Sequence, residues 1–233
     1  MNQKLRYLAI KTLFYGMKKT ILPILLFLLI FLIGYLCLES HESQSSTNTE
    51  FFIDKPYLAV IKGMATKNSL EKIVEDSEGV VTNKNWESFQ VEVPRRILRL
   101  KEYKLEGILK FNVEKTDPSL GKLSLPFTQE IHLDEQVLLL KTKLVESQKH
   151  VIMCDKIVEI SPVIEEGGPP HGTHVFIKSE LKVKKTIPFF FRKMMDDKVD
   201  QANKRDAERL KTNIINASGQ KALLTIVRQG RTM

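Results

Sequence analysis

The chain of 233 residues is poor in cysteine (two), tryptophan (one), glycine (eleven) and proline (nine). Two cysteines exclude a disulfide-dense scaffold and the four-thiolate zinc sites. Cys37 lies inside an apolar run and Cys154 in a strand-like segment, so no disulfide within the folded body is expected. The low glycine and proline content excludes collagen-like and low-complexity material. No G-x-S-x-G, P-loop or H-E-x-x-H run occurs, so the usual signatures of a nucleophile elbow, a phosphate loop or a zinc protease are missing. The formal charge is +8, yet Lys and Arg never gather into a long run. Nucleic-acid binders concentrate their basic residues in a stripe interleaved with aromatics, so no nucleic-acid partner is expected.

Acid is missing from the first 20 residues, which carry Lys4, Arg6, Lys11, Lys18 and Lys19. Ile21–Leu38 then runs 18 positions without a charge. As a helix it is about 27 Å long, close to a ~30 Å hydrocarbon core, and an α-helix satisfies its own backbone polar groups in lipid. Pro23 falls in its first turn, where a missing N–H costs little. The flank Glu39–Glu50 holds three acids and no Lys or Arg. Basic residues stay on the cytoplasmic side, which predicts a cytoplasmic N-terminus and an extracytoplasmic or lumenal body. A cleaved signal peptide is the competing reading. The apolar run exceeds the usual 7–15 residues and no small-x-small site follows, so an uncleaved single-pass anchor is expected. Tyr7, Leu8, Ile10, Leu13, Phe14 and Met17 recur among the lysines, in the manner of a segment lying on an anionic surface; the simpler reading is that the lysines set topology.

Residues 39–50, rich in Ser, Thr, Glu and Asn, read as a flexible stalk. Folded material is expected from Phe51. Tyr57–Ala65 reads as a strand and Ser69–Asp76 as a short helix capped by Asn68 or Ser69. Period-two alternation gives strands at Trp86–Val93, Tyr103–Thr116, Lys122–Leu133, Gln136–Val145, Lys149–Ser161 and Gly172–Ile187. Gly107 lies where the alternation slips, which suggests a bulge or bend. Breaks of about two residues favour antiparallel neighbours, because parallel pairs need a long crossover. From Pro188 the period changes to that of a helix ending near Gly219, with Phe191, Met195, Val199, Ala202, Leu210 and Ile214 along one side. The tail, residues 220–233, reads as a short strand or a loose end. The expected fold is therefore α+β: an N-terminal transmembrane helix (21–38) after a basic segment (1–20), then a body (51–219) of about seven mostly antiparallel strands packed on one long C-terminal helix.

Several polar groups were weighed for chemistry. His171 and His174 follow Glu165 and Glu166, but their spacing matches no established zinc site and reads as a solvated loop. His132 beside Asp134 and Glu135 reads as a hairpin tip, Cys154 as a buried apolar side chain, and Trp86 as a packing residue at the core's edge. Asn216-Ala217-Ser218 is a glycosylation acceptor triplet. No catalytic residue, metal site or cofactor is expected.

Lys149–Asn216 carries a strand ending in ISPVIEEGG, then GTHVFIKSELKVKK, then a proline-led long helix ending in ERLKTNII. This stretch resembles the START-like, or SRPBCC, superfamily of helix-grip domains that bind hydrophobic ligands. The resemblance implies two small helices after the first strand and a cavity between sheet and helix for a lipid-like molecule. Phe191, Met194, Met195 and Val199 would supply the helix-side lining. The function so implied is non-catalytic binding or handling of an apolar ligand next to the bilayer. The alternative is a membrane-tethered module that binds a protein partner and has no ligand cavity.

Overall fold

A computed structural model describes residues 23–30, 32, 38–75, 79–92, 104–117, 121–134, 136–163, 172–218 and 222–228. The chain divides into two compact units, Met1–His41 with Lys185–Lys193, and Glu42–Lys184 with Met194–Met233.

In the smaller unit, residues 23–30 are helical and their side chains are exposed. Among the described residues no helix is long and apolar enough to cross a membrane. Residues 21, 22, 31 and 33–37 of the expected span lie outside the described residues, and Leu38 begins a strand instead of ending a helix. Phe189–Phe191 form a single 3-10 turn after Pro188 (φ −59°). Phe189 meets Phe190 edge-on and Phe190 meets Phe191 at a tilt, with centroids 5.5 and 4.7 Å apart, and all three stay exposed. Arg192 pairs with Glu39.

Among the described residues the larger unit holds most of a sheet of eight strands: β1 (Leu38–Ile53), β2 (Gly79–Glu92), β3 (Lys104–Asp117), β4 (Gly121–Asp134), β5 (Val137–Leu144), β6 (Val151–Val163), β7 (Gly172–Pro188) and β8 (Ala222–Arg228). Their spatial order is β2-β3-β4-β5-β6-β7-β1-β8. The ladders from β2 through β7, and β1 with β8, are antiparallel. Helices α1 (Tyr57–Met64) and α2 (Lys67–Ile73) follow β1, and α3 (Arg192–Ser218) follows β7. The α+β class, the antiparallel sheet and the long C-terminal helix agree with the sequence. The tail's strand adds an eighth member at the edge of the sheet.

Four expectations are corrected. Residues 39–50 are not a stalk: they form most of β1, with Ser43, Ser45, Thr47 and Thr49 buried on alternate positions. The Ser45 and Thr47 hydroxyls find partners on α3, so a face without apolar side chains is nonetheless an inward face. Tyr57–Ala65 is a helix. Tyr57, Val60, Ile61 and Met64 are its buried residues, the i, i+3, i+4, i+7 stripe of an amphipathic turn. A stretch this short and apolar also fits period two, which is why it reads as a strand. With α2 it makes the pair of small helices that the resemblance implies. The cap of α2 is Thr66, whose hydroxyl oxygen accepts from the Ser69 amide at 3.2 Å. Finally, the bulges lie in β2, between Thr82 and Asn85 and between Trp86 and Ser88, whereas β3 pairs with β4 in unbroken register through Gly107. Gly107 is needed for packing. A Cβ there would stand 3.0 Å from Trp86 Cζ3 and 3.2 Å from Phe89 Cδ2.

Trp86 closes the end of the sheet as a packing residue. Its indole N–H donates to Glu71 at 2.7 Å, its ring meets Phe89 edge-on, and Lys67 sits over both rings.

Candidate functional site

One face of the sheet packs on α3, and its side chains form rows across the strands. Strand registers place Ile131, Leu140, Val158 and Ile177 in one row, and Leu133, Leu138, Ile160 and Val175 in the next. Together with α1, α2, Leu210 and Ile214 these make the main apolar core. Ile160, Val175, Ile177 and Ile214 reach 0 % exposure.

A second apolar cluster lies on the same face. It consists of Leu109, Phe111, Val113, Leu123, Leu125, Phe127, Val151 and Cys154, all from β3, β4 and β6. Phe111 and Phe127 are cross-strand partners with rings stacked at 5.5 Å. Among the described residues no side chain of α3 belongs to this cluster. Apart from Leu109, its members keep 4–9 % of their surface exposed, as do Leu133 and Leu210 of the main core.

Between the two clusters runs a polar row. Register aligns Leu109, Gln129, Thr142, Lys156 and Ser179 across β3 to β7. Gln129 Nε2 donates to Thr142 Oγ1 at 3.2 Å, while Gln129 Oε1 is buried and has no hydrogen-bond partner among the described residues. Lys156 Nζ meets Asp206 of α3 at 2.5 Å, and Arg209 takes the other oxygen of the same carboxylate. Ser179 is bound by Asn203 of α3. Asn203 also donates to Ser45 and Thr47, and Ser45 donates to Asp200 at 3.0 Å. Through Lys204 first, and Ser45 after burial is overcome, the Asp200 carboxyl is held below its ordinary pKa. Burial pushes the Cys154 thiol up, with Lys156 opposing, so a thiolate nucleophile is disfavoured there.

The residues expected to line a ligand site are distributed differently. Phe191 is exposed and belongs to the smaller unit. Met194 is exposed, whereas Met195 and Val199 are buried one helical turn apart on α3 and belong to neither apolar cluster. On the inward side of α3, Asn203 and Ala207 are buried and Ala202 is only half-buried, a one-residue rotation of the expected stripe. His132 lies 3.5 Å from Glu106, across the ladder, in place of the acids beside it in sequence. His174 faces Glu50 at 3.9 Å and stacks on Phe52. His171, Glu165 and Glu166 lie outside the described residues. Among the described residues no group of three His, Cys, Asp or Glu is placed to hold a metal ion.

Sequence reasoning missed Gln129, Thr142, Lys156, Asp206 and Asn203. A signal for the strand members exists. In β4 to β7 the inward parity is apolar on both sides of one polar position: Gln129 between Phe127 and Ile131, Thr142 between Leu140 and Leu144, Lys156 between Cys154 and Val158, Ser179 between Ile177 and Leu181. Four adjacent strands interrupted once each, at aligned positions, mark a polar line through an apolar face.

No family model matches the chain, and no curated protein matches it. Solved structures do match. A protein of unknown function from Staphylococcus aureus has a TM-score of 0.40 at 11 % identity, covering 78 % of this chain and 94 % of that one. An aromatase/cyclase from Streptomyces has a TM-score of 0.36 at 11 % identity, covering 77 % and 94 %. Norcoclaurine synthase from Thalictrum flavum, solved with dopamine and hydroxybenzaldehyde, has a TM-score of 0.30 at 9 % identity, covering 79 % and 91 %. At these scores the likeness assigns neither a family nor an activity.

Proposed function

We propose that the larger unit binds an apolar small molecule against the strand-only cluster of Leu109, Phe111, Leu125, Phe127 and Cys154, without chemistry on it, and that the apolar run of residues 21–37 anchors the chain in a bilayer. The observation that carries this reading is an apolar cluster on the helix-facing side of the sheet to which α3 contributes no side chain, among the described residues. Apart from Leu109 these residues keep 4–9 % of their surface exposed, and an apolar guest completing their cover would gain about 0.8 kcal/mol per buried methylene. Met195 and Val199, on the buried side of α3, would form the helix-side wall; Met adapts readily to varied apolar shapes. Binding without reaction is favoured because the Cys154 thiol is held protonated by burial and Lys156 is engaged by Asp206.

The test is native mass spectrometry of the full chain with lipid extraction of the purified material. Truncation at Phe51 is unsuitable, because it would delete most of β1. A near-stoichiometric apolar molecule supports the reading; an apo mass that stays unchanged after incubation with mixed lipids overturns it. The anchor has its own test: the chain should stay in the membrane pellet after alkaline carbonate extraction, and its release would remove that part of the proposal.

A second reading, a contact surface for a protein partner, is favoured by one observation. The rings of Phe189, Phe190 and Phe191 touch one another in the open, beside Met194 in sequence, which is exposed as well. Exposed aromatic groups of this kind are common anchors in interfaces.

A further inference from the structure

The polar row has a member whose chemistry the fold leaves incomplete. Gln129 is 2 % exposed and lies in register between Leu109 of β3 and Thr142 of β5. Phe127 and Ile131 flank it on the same face of β4, so it stands where the second apolar cluster meets the main core. One end of its amide is used, on the Thr142 hydroxyl at 3.2 Å. The other, Oε1, has no partner among the described residues. Turning the amide by 180° would hand Oε1 to Thr142 and leave the NH2 group unpartnered instead, so either orientation leaves one hydrogen-bonding group over. Buried polar groups are nearly always satisfied, and one left over at the margin of an apolar cluster calls for a partner.

We infer that Gln129 is the specificity-determining residue of the site proposed above, and that its ligand is an apolar molecule carrying one hydroxyl. This rests on the reading that the strand-only cluster binds a ligand. A hydroxyl both donates and accepts, so it completes the amide in either orientation. The apolar remainder lies over Phe127, Phe111 and Leu125, while the hydroxyl reaches the polar row. A charged head group is disfavoured at this position, because a neutral amide does not offset the desolvation of a buried charge.

The test compares two alcohols with their own methyl ethers: 1-dodecanol and cholesterol, titrated into the full chain in lipid nanodiscs, with empty nanodiscs subtracted. At least one alcohol is expected to bind about tenfold tighter than its ether, the discrimination that one buried hydrogen bond provides. In Gln129→Leu and Gln129→Met that preference should fall below about twofold. Both variants should keep the Trp86 emission of the parent, with a lowered urea midpoint, because the Thr142 hydroxyl loses the amide that donates to it. Equal binding of alcohol and ether to the parent would overturn the inference and leave the binding site standing. Discrimination that survives both variants would move the hydroxyl's partner away from Gln129. No binding of any of the four probes would overturn the inference together with the reading beneath it for these ligand classes.

Discussion

Asn203 and Ser179 hold each other from both ends: the Ser179 hydroxyl donates to Asn203 Oδ1 at 2.7 Å, and Asn203 Nδ2 donates to the Ser179 carbonyl at 3.0 Å. The same Nδ2 reaches Ser45 O and Oγ at 3.2 Å and Thr47 Oγ1 at 3.3 Å. One helix side chain therefore fastens α3 to β7 and β1. Asn203→Ala removes that fastening and leaves buried polar groups without a partner. The expected cost is about 2–4 kcal/mol, read by urea unfolding. Asn216→Ala, on the exposed side of the same helix, should stay within about 0.5 kcal/mol.

This clamp shows where sequence reading succeeds and where it fails. The strands β3 to β7 and the helix α3 are legible because apolar residues repeat at the period of each element. In β1 the inward residues before Phe51 are Ser43, Ser45, Thr47 and Thr49, so a search for apolar periodicity returns a polar linker. What holds Ser45 and Thr47 inward is Asn203 and Asp200, about 155 positions away in sequence. α1 fails for a different reason: Tyr57–Met64 is apolar enough to fit both periods, and burial alone decides between them. The polar row is legible only once the strand registers are known, since each strand contributes a single exception to its pattern.

Gly107 is occupied from above by Trp86 and Phe89, and the Ser88 carbonyl oxygen would stand 3.2 Å from an added Cβ. The rings can shift, but the backbone oxygen yields less. Gly107→Ala should destabilise by about 1–3 kcal/mol through overpacking. The chain has one tryptophan, so the displacement of Trp86 should also appear as a shift of the intrinsic emission. An unchanged spectrum with unchanged stability would contradict this account of the glycine.

Glu42 accepts from Lys182 at 2.8 Å and from Lys184 at 2.9 Å. Those hydrogen bonds, with the charges behind them, lower its pKa from 4.5 to about 2. Because the folded value is depressed, the group's contribution to stability is fully present above the unfolded value and is lost as pH falls towards 2. An NMR titration of the Glu42 side-chain carboxyl should show a midpoint near 2. Replacing Lys182 and Lys184 by Met should raise that midpoint towards 4.5. Salt should raise it as well, since the group is exposed and its partners are screened.

Lys156 presents the opposite case, a charge on the inward face of a strand between Cys154 and Val158. Its partner Asp206 is shared with Arg209, and the Lys156 and Asp206 side chains are 16 % and 21 % exposed. Removing Asp206 takes from Lys156 the carboxylate it meets, removing Lys156 leaves that carboxylate to Arg209 alone, and removing both leaves a site that apolar groups can fill. Lys156→Met and Asp206→Asn should each cost about 1–3 kcal/mol, and the double variant should cost less than their sum by about 1 kcal/mol or more. Simple additivity would mean that the two groups hold α3 to β6 independently, with Arg209 carrying the carboxylate alone. The same cycle bears on the row as a whole. If Lys156 is kept for its link to Asp206, Lys156→Met combined with Asp206→Leu should recover stability while leaving undisturbed the hydrogen bond of Gln129 to Thr142, the residue paired with Lys156 on the neighbouring strand.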